Sequence, residues 1–270
     1  RIQCTRGLKM AIFFTEADYE KSVIELFQNL GYSYIYAPEL ERDYSCPVLE
    51  STLQDCLVKI NKNLPYAAIM EAIGKLRDFD AGSLLQRNET FMNYLQNGIP
   101  VKYVEAGEER TNIVYLIDYA NVDHNDFCVL NQFTYIENGN NRRPDVIVFV
   151  NGLPLVVIEL KSPSKDEVGA ENAYHQIRNY IHDIPSLFIY NAFCVISDLS
   201  VTKAGTLTSG LDRFMEWKSK DGSYENNQFA QFETFYEGMF AKERFLDILQ
   251  NFICFSGDKH NQVKILAGYH

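Results

Sequence analysis

The sequence predicts an α/β protein in which a β-rich meander is followed by an alternation of helix and strand, with an all-helical stretch near the start. Three observations predict it. Residues 18–30 and 48–98 carry helical periodicity, residues 101–161 carry Val/Ile/Phe/Tyr runs, and a helix followed by a short apolar strand comes after them. In chain order, Asp18 to Leu30 places apolar residues at 23, 24, 27 and 30, one face of a helix, closed by Gly31 as a left-handed stop. Glu20 lies on that stripe, and its periodicity favours an edge residue that snorkels or caps the first turn. Helices over Leu49–Lys62, Ala67–Phe79 and Leu84–Gln96 are separated by Pro65, Gly82 and Gly98. Strands follow over Ile113–Tyr119, Phe127–Ile136, Val146–Val150 and Leu155–Lys161. After them come a helix from Val168 to Ile181, a strand over Ala192–Ile196, and helices over 209–217, 228–236 and 240–253, with Lys218–Asn227 as a loop.

The chain has 270 residues, a length suited to one large domain or one with an appendage. Its longest apolar runs span a handful of residues, against the roughly 20 that cross a bilayer, so no membrane is expected. No basic start precedes an apolar leader, and the first residue is Arg1 rather than Met, which reads as a trimmed fragment. Six scattered cysteines without a C-x-x-C pair read as buried thiols of a reducing, cytoplasmic compartment. With 25 basic against 36 acidic residues the net charge is −11, which argues against bulk electrostatic grip on nucleic acid while leaving room for a local basic cleft.

Several chemistries are excluded by spacing. Gly74-Lys75 lacks the glycine and hydroxyl of a phosphate-binding loop, the five histidines never take H-x-x-x-H spacing, and there is no G-x-S-x-G elbow. The Asn88-Glu89-Thr90 sequon means nothing without secretion.

The informative stretch runs from Arg142 to Lys161. Asn151-Gly152 between two Val/Ile-rich runs marks a hairpin, and a three- or five-residue loop centred on Gly152 puts Asp145 opposite Glu159. Glu159 and Lys161, two apart on one strand, share its face. Two carboxylates so close repel, and a divalent cation held by oxygens relieves them, with Mg²⁺ the natural occupant. Beside such a metal, a lysine can orient or deprotonate water, or offset phosphate charge, so the set reads as phosphodiester hydrolysis. Spacing alone leaves this and a partly buried salt-bridge network equally open. A second acid-x-Lys triplet, Glu216-Trp217-Lys218, falls in a predicted helix, where positions two apart diverge by about 200°. On the helix after the hairpin, Gln176 and Tyr180 share a face and could bond a phosphate or the lysine, although taken alone an ordinary helix packing its tyrosine on the sheet is the better explanation.

The ordered run Asn131-Gln132-Phe133, Arg143-Pro144-Asp145, Phe149-Val150-Asn151-Gly152-Leu153-Pro154-Leu155, Glu159-Leu160-Lys161, Gln176-x-x-x-Tyr180, Ile184-Pro185-x-Leu187-Phe188-x-Tyr190-Asn191, Ser197-Asp198 and Phe214-x-x-Trp217-Lys218 closely resembles the N-terminal part of the type I restriction enzyme R subunit. The resemblance spans nearly the whole chain. It implies a restriction-endonuclease-like PD-(D/E)xK core, a mixed β-sheet flanked by helices, with 48–98 as an α-helical insert. It implies Asp145, Glu159 and Lys161 in catalytic positions, Gln176 and Tyr180 in the accessory Q-x-x-x-Y positions, and metal on Asp145 and Glu159. Glu20 is a looser match to an acidic residue often found on the first helix of such folds, and so a further candidate ligand. The same resemblance implies an endonuclease domain over 1–255 and a linker over 256–270 towards an ATP-driven double-stranded DNA translocase outside this chain. The implied partners are duplex DNA and the modification and specificity subunits of one complex. The alternatives left open are a catalytically silent DNA-contact module and a subunit-docking module built on the helical stretch.

Overall fold

A computed structural model describes residues 15–161, 169–198, 201–220, 231–258 and 261–268. Helix α1 (Glu16–Asn29) starts at Thr15, whose hydroxyl accepts the Asp18 backbone N–H at 3.2 Å while the Asp18 carboxylate accepts the Thr15 N–H at 2.9 Å. This capping box satisfies two donors that a helix start leaves open. The helix stops before Gly31, whose φ of +83° is costly for a residue with a Cβ. Strand β1 (Ser33–Tyr36) follows, then α2 (Glu50–Ile60), α3 (Tyr66–Arg77) and α4 (Leu84–Asn97) as the periodicity predicts.

The remaining elements are β2 (Ile99–Glu105), β3 (Glu108–Val114), β4 (Phe127–Asn131), β5 (Tyr135–Glu137), β6 (Asn140–Arg142), β7 (Val146–Val150), β8 (Leu153–Leu160), α5 (Gly169–Asp183), the single turn α6 (Pro185–Phe188), β9 (Phe193–Ser197), β10 (Thr202–Gly205), α7 (Gln231–Phe240), α8 (Lys242–Asn251), β11 (Ile253–Ser256) and β12 (Val263–Leu266). Six strands form a mixed sheet in the order β1-β4-β7-β8-β9-β10, parallel at β1/β4 and β8/β9 and antiparallel at the other three pairings.

Alternation along the strands sends Val129, Val146, Val148, Ile158, Leu160 and Val195 into a larger core shared with α1, α7, α8 and the helices of 50–97. The other face sends Leu130, Ile147, Phe149, Val157 and Ile196 against Ala173, Ile177 and Tyr180 of α5 and Leu187 and Phe188 of α6. The result is a helix–sheet–helix sandwich, in keeping with the expected restriction-endonuclease-like arrangement. The all-helical stretch 48–98 buries its apolar face in the same core as the sheet.

Four expectations change. The strand predicted over Ile113–Tyr119 lies earlier, over β3, because a two-stranded ribbon with a largely exposed Glu-Glu-Arg-Thr-Asn edge shows no apolar alternation. The run Phe127–Ile136 breaks at Gln132, where φ is +54°. The helix predicted over 209–217 is replaced by a short 3-10 turn, Leu211–Arg213, and by Met215 bridging antiparallel to Ala204, since the free edge of β10 offers that chain a ladder. The triplet Glu216-Trp217-Lys218 is therefore not helical. It is excluded instead because Glu216 is exposed and lies 3.7 Å from Lys203, and among the described residues it joins no group of three metal-ligating side chains.

Of the cysteines, 56, 128 and 194 are buried, Cys46 is half-buried and Cys254 is exposed. Much of the loop predicted over Lys218–Asn227 lies outside the described residues. The segment expected as a linker contains β12, paired with β11. From β12 the buried Lys264 ammonium donates to Asn88 Oδ1 at 2.9 Å and to the Asn191 carbonyl at 2.7 Å, and burial pushes it down to about 7. Asn88 itself is wholly buried, so its sequon is inaccessible.

Candidate active site

The hairpin β7–β8 turns on two residues, not three or five. Val150 pairs with Leu153, and Asn151 and Gly152 take φ of +51° and +78°, the two left-handed positions of the tight turn that Asn-Gly favours. The turn is held from outside. Asn151 donates to the Leu116 carbonyl and to Asn125 Oδ1, and a Cβ on Gly152 would come within 2.7 Å of the Leu49 carbonyl oxygen.

A two-residue turn by itself would put Ile158 opposite Asp145. A β-bulge corrects this: Phe149 pairs with Pro154 but Val148 pairs with Val156, leaving Leu155 as the extra residue. Continued by one residue beyond the Val146–Ile158 pair, the register sets Asp145 opposite Glu159, the pairing expected from sequence but reached by another route. Leu155 and Val156 both enter the larger core. Beyond them Val157 faces α5, and Glu159 follows it onto that face.

Glu159 is 2 % exposed, and Lys161 donates to its Oε1 at 2.6 Å and to the Leu160 carbonyl at 3.0 Å. The Lys161 backbone N–H continues the ladder to Ser197 at 2.9 Å. Asp145 Oδ2 accepts the Leu160 N–H at 2.8 Å. The other Glu159 oxygen, Oε2, is buried and meets no donor at full hydrogen-bonding geometry among the described residues, although the Tyr180 hydroxyl comes near enough to the carboxylate to oppose its rise.

Burial, and then the neighbouring Asp145 charge, push Glu159 up to about 8 against the pull of Lys161. Burial raises Asp145 to about 6, opposed by the Leu160 N–H and Lys161, with Glu16 and Glu20 adding to the rise. Burial alone would lower the Lys161 ammonium, but Glu159 and Asp145 outweigh it and the net shift is upward. Tyr180 is buried on α5 with its hydroxyl 3.4 Å from the Arg143 carbonyl, and burial followed by the Glu159 charge raises it, while Gln176 opposes that rise. The structure thus brings Asp145, Glu159, Lys161, Gln176 and Tyr180 to one end of the sheet.

Glu20, on α1, is near enough to add to the Asp145 rise but is bound to other partners. Asn131 Nδ2 donates to its Oε1 and Gln132 Nε2 to its Oε2, each at 2.6 Å. Among the described residues no three His, Cys, Asp or Glu side chains lie close enough to hold a cation together. Glu159 Oε2 and the Asp145 carboxylate nevertheless suit a hard divalent ion: an orphaned buried oxygen beside a second carboxylate is an oxygen donor set, and Mg²⁺ is commonly held by one or two carboxylates with water and phosphate completing it.

Sequence reasoning missed Glu16, one turn before Glu20 on α1, although the i, i+4 spacing was visible. It also gave Asn131 and Gln132 no task, because their partner is remote in sequence. Basic residues near the site are partly engaged within the fold. Arg142 is bound to Asp183 at 2.7 Å and Arg178 to the Leu207 carbonyl at 2.6 Å, while Lys165, Asp166 and Glu167 lie outside the described residues.

Residues 13–213 match the family model of the type I restriction enzyme R protein N terminus. The chain is 33 % identical over 271 residues to the type I restriction enzyme HindI endonuclease subunit of Haemophilus influenzae, covering 94 % of this chain and 25 % of that protein. It is 31 % identical over 277 residues to a putative type I restriction enzyme MjaIXP endonuclease subunit of Methanocaldococcus jannaschii, covering 93 % and 26 %. The Escherichia coli EcoprrI endonuclease subunit is 28 % identical over 267 residues, 91 % of this chain and 76 % of that one. The chain spans about a quarter of the length of the first two relatives. With the mixed sheet and the matched 201-residue stretch from 13 to 213 in hand, the chain belongs to the type I restriction enzyme R protein N-terminal family.

Proposed function

We propose that this chain is the Mg²⁺-dependent endonuclease domain of a type I restriction R subunit, cutting double-stranded DNA after ATP-driven translocation by motor domains elsewhere in the subunit. The observation that carries the reading is Glu159 Oε2, a buried carboxylate oxygen that meets no donor at full hydrogen-bonding geometry among the described residues, set beside Asp145. Burial of an unrelieved pair of acids is costly and persists where something else compensates it.

Asp145 and Glu159 would hold the cation, which when bound supplies charge neutralisation at the phosphodiester and acidifies a water. Lys161 keeps its proton, since Glu159 and Asp145 hold its ammonium charged, and would donate hydrogen bonds that neutralise a phosphoryl oxygen or orient the attacking water. The Lys161–Glu159 bond fixes both side chains in one orientation, and the buried Tyr180 brings its hydroxyl towards the Glu159 carboxylate. Gln176, half-buried one turn earlier, steadies Tyr180 and presents an amide at the rim. Partner modification and specificity subunits, and a cytoplasmic setting, belong to this proposal. Among the described residues no helix is long and apolar enough to cross a membrane.

The test is substitution in the assembled restriction complex. Asp145→Ala, Glu159→Ala and Lys161→Ala each abolish DNA cleavage while ATP hydrolysis and translocation continue. Near-normal cutting by any of the three would overturn its catalytic assignment.

A further inference from the structure

Asn131, Gln132 and Glu20 adjoin the reacting groups and have no part in the chemistry above. Gln132 sits where the chain leaves β4, with φ of +54°, a conformation an amide side chain tolerates only when neighbours hold it. Two contacts hold it. Its backbone N–H donates to the Asp145 carbonyl at 2.9 Å, and its side-chain amide donates to Glu20 Oε2 at 2.6 Å. Asn131, the last residue of β4, pairs with Val146, the residue after Asp145, and gives its own amide to Glu20 Oε1. Tyr34 on β1 then donates its hydroxyl to Asn131 Oδ1 at 3.1 Å, which fixes which way that amide points.

We propose that Glu20, Asn131 and Gln132 are positioning residues, a clamp from α1 to the mouth of β7 that fixes the Asp145 backbone and so aims its carboxylate. The inference rests on the nuclease reading of Asp145. It differs from assigning Glu20 to the cation. Both Glu20 oxygens are engaged by charge-assisted amide bonds, and Glu20 joins no group of three ligating side chains among the described residues. Asp145 lies just outside the ladder, so its main-chain direction depends on its own hydrogen bonds. One of them is the bond from Gln132, which a free left-handed residue would not keep in place.

Partners that orient a metal-binding residue typically change affinity or activity by about 10- to 100-fold when removed. Cleavage by the assembled complex should fall by about that factor in Glu20→Gln and in Gln132→Ala. Gln132→Gly, which accepts the positive φ freely, guards against simple misfolding and shows the same defect. Hydrogen exchange supplies a readout apart from activity: the backbone amide of residue 132 exchanges faster in Glu20→Gln than in the parent.

The double variant Glu20→Gln with Gln132→Glu re-forms the bond between positions 20 and 132 with amide and carboxylate exchanged, while Asn131 can still donate to the amide oxygen at position 20, so slow exchange and much of the cleavage return. Calorimetry with Mn²⁺ on the nucleotide-free subunit completes the set. Loss of Mn²⁺ binding in Glu20→Gln but not in Gln132→Ala, or a double variant no better than Glu20→Gln alone, overturns the clamp. Parent-like cleavage and exchange in all single variants overturns it too. Normal cleavage by Asp145→Ala would instead overturn the nuclease reading while leaving the Glu20–Gln132 link to be judged on exchange.

Discussion

Asp145 and Glu159 are both raised above the carboxylate values of an unfolded chain, and that has a sign. The folded protein holds these protons more tightly than the unfolded one. Their contribution to stability is therefore fully present below about pH 4 and is lost as pH rises through about 6 and then about 8. At pH 8 in chelator the pair works against folding. Asp145→Asn keeps an oxygen for the Leu160 N–H and removes one charge, so it should raise the unfolding free energy at pH 8 by about 1–3 kcal/mol, a shift of a few pKa units at 1.36 kcal/mol each. The gain vanishes near pH 4, and urea titrations at the two pH values check it. A loss of stability at pH 8 would mean that the acids serve chiefly as ion-pair partners of Lys161. None of this electrostatics was legible in the sequence beyond the identity of the three residues. The acid-x-Lys spacing showed which side chains share a strand face, but the burial of Glu159 and its unpaired oxygen depends on the packing of elements far apart in sequence.

At the scale of elements, α1 to α5 were legible because each buries one periodic stripe and carries its own stop signal. Gly31, Gly98 and Pro185 act within a residue or two of the helix they end. Strand β1 was missed because three of its four residues, Ser33, Tyr34 and Tyr36, are exposed at a sheet edge and show no apolar alternation. The helix expected over 209–217 failed for a non-local reason: Met215 takes its hydrogen bonds from Ala204, a partner that no local spacing announces. The hairpin turn shows how much a short signal can carry. Asn-Gly predicted the turn, and the structure adds that Gly152 is also pressed against α2. Gly152→Ala combines a positive φ with contacts under 3 Å to the Leu49 carbonyl and the Leu53 N–H, both main-chain atoms that cannot swing aside. A loss of roughly 2–4 kcal/mol follows, read as a lower midpoint in chemical denaturation with unchanged slope. A change under half of that would mean α2 yields easily.

The whole molecule has a net charge of −11, and the basic residues around the site are partly engaged within the fold, Arg142 with Asp183 and Arg178 with Leu207. Duplex affinity depends on neutralised phosphates, so the 270-residue chain alone, even with ample Mg²⁺, should cut linear duplex poorly at physiological salt. Grip would come from tethered modules that raise the local DNA concentration. A plasmid digestion across a salt series tests this, and efficient cutting insensitive to salt would show that the chain carries its own DNA-binding face. The attachment of the C-terminal hairpin was not legible either. A lysine in β12 reads as solvent-facing by type, yet Lys264 is buried because Asn88 and Asn191 meet it with an amide oxygen and a carbonyl.

The bulge at Leu155 decides where this hairpin can change length. On its turn side, two paired positions are locked by Asn151 and Gly152, and beyond it every residue through Lys161 is committed to a face. Deleting Leu155 straightens the ladder but leaves Asp145 across from Glu159, so cleavage survives while a buried leucine is lost, at about 2–5 kcal/mol. Inserting one alanine between Val157 and Ile158 does more harm: Glu159 and Lys161 turn to the larger-core face, Ile158 and Leu160 turn out of it, and both folding and cutting suffer. Among related chains laid side by side, gaps in this hairpin accordingly belong at the Leu155 position and nowhere from Val156 to Lys161. The bulge is thus the position in this hairpin at which one residue can be lost while Asp145 stays across from Glu159.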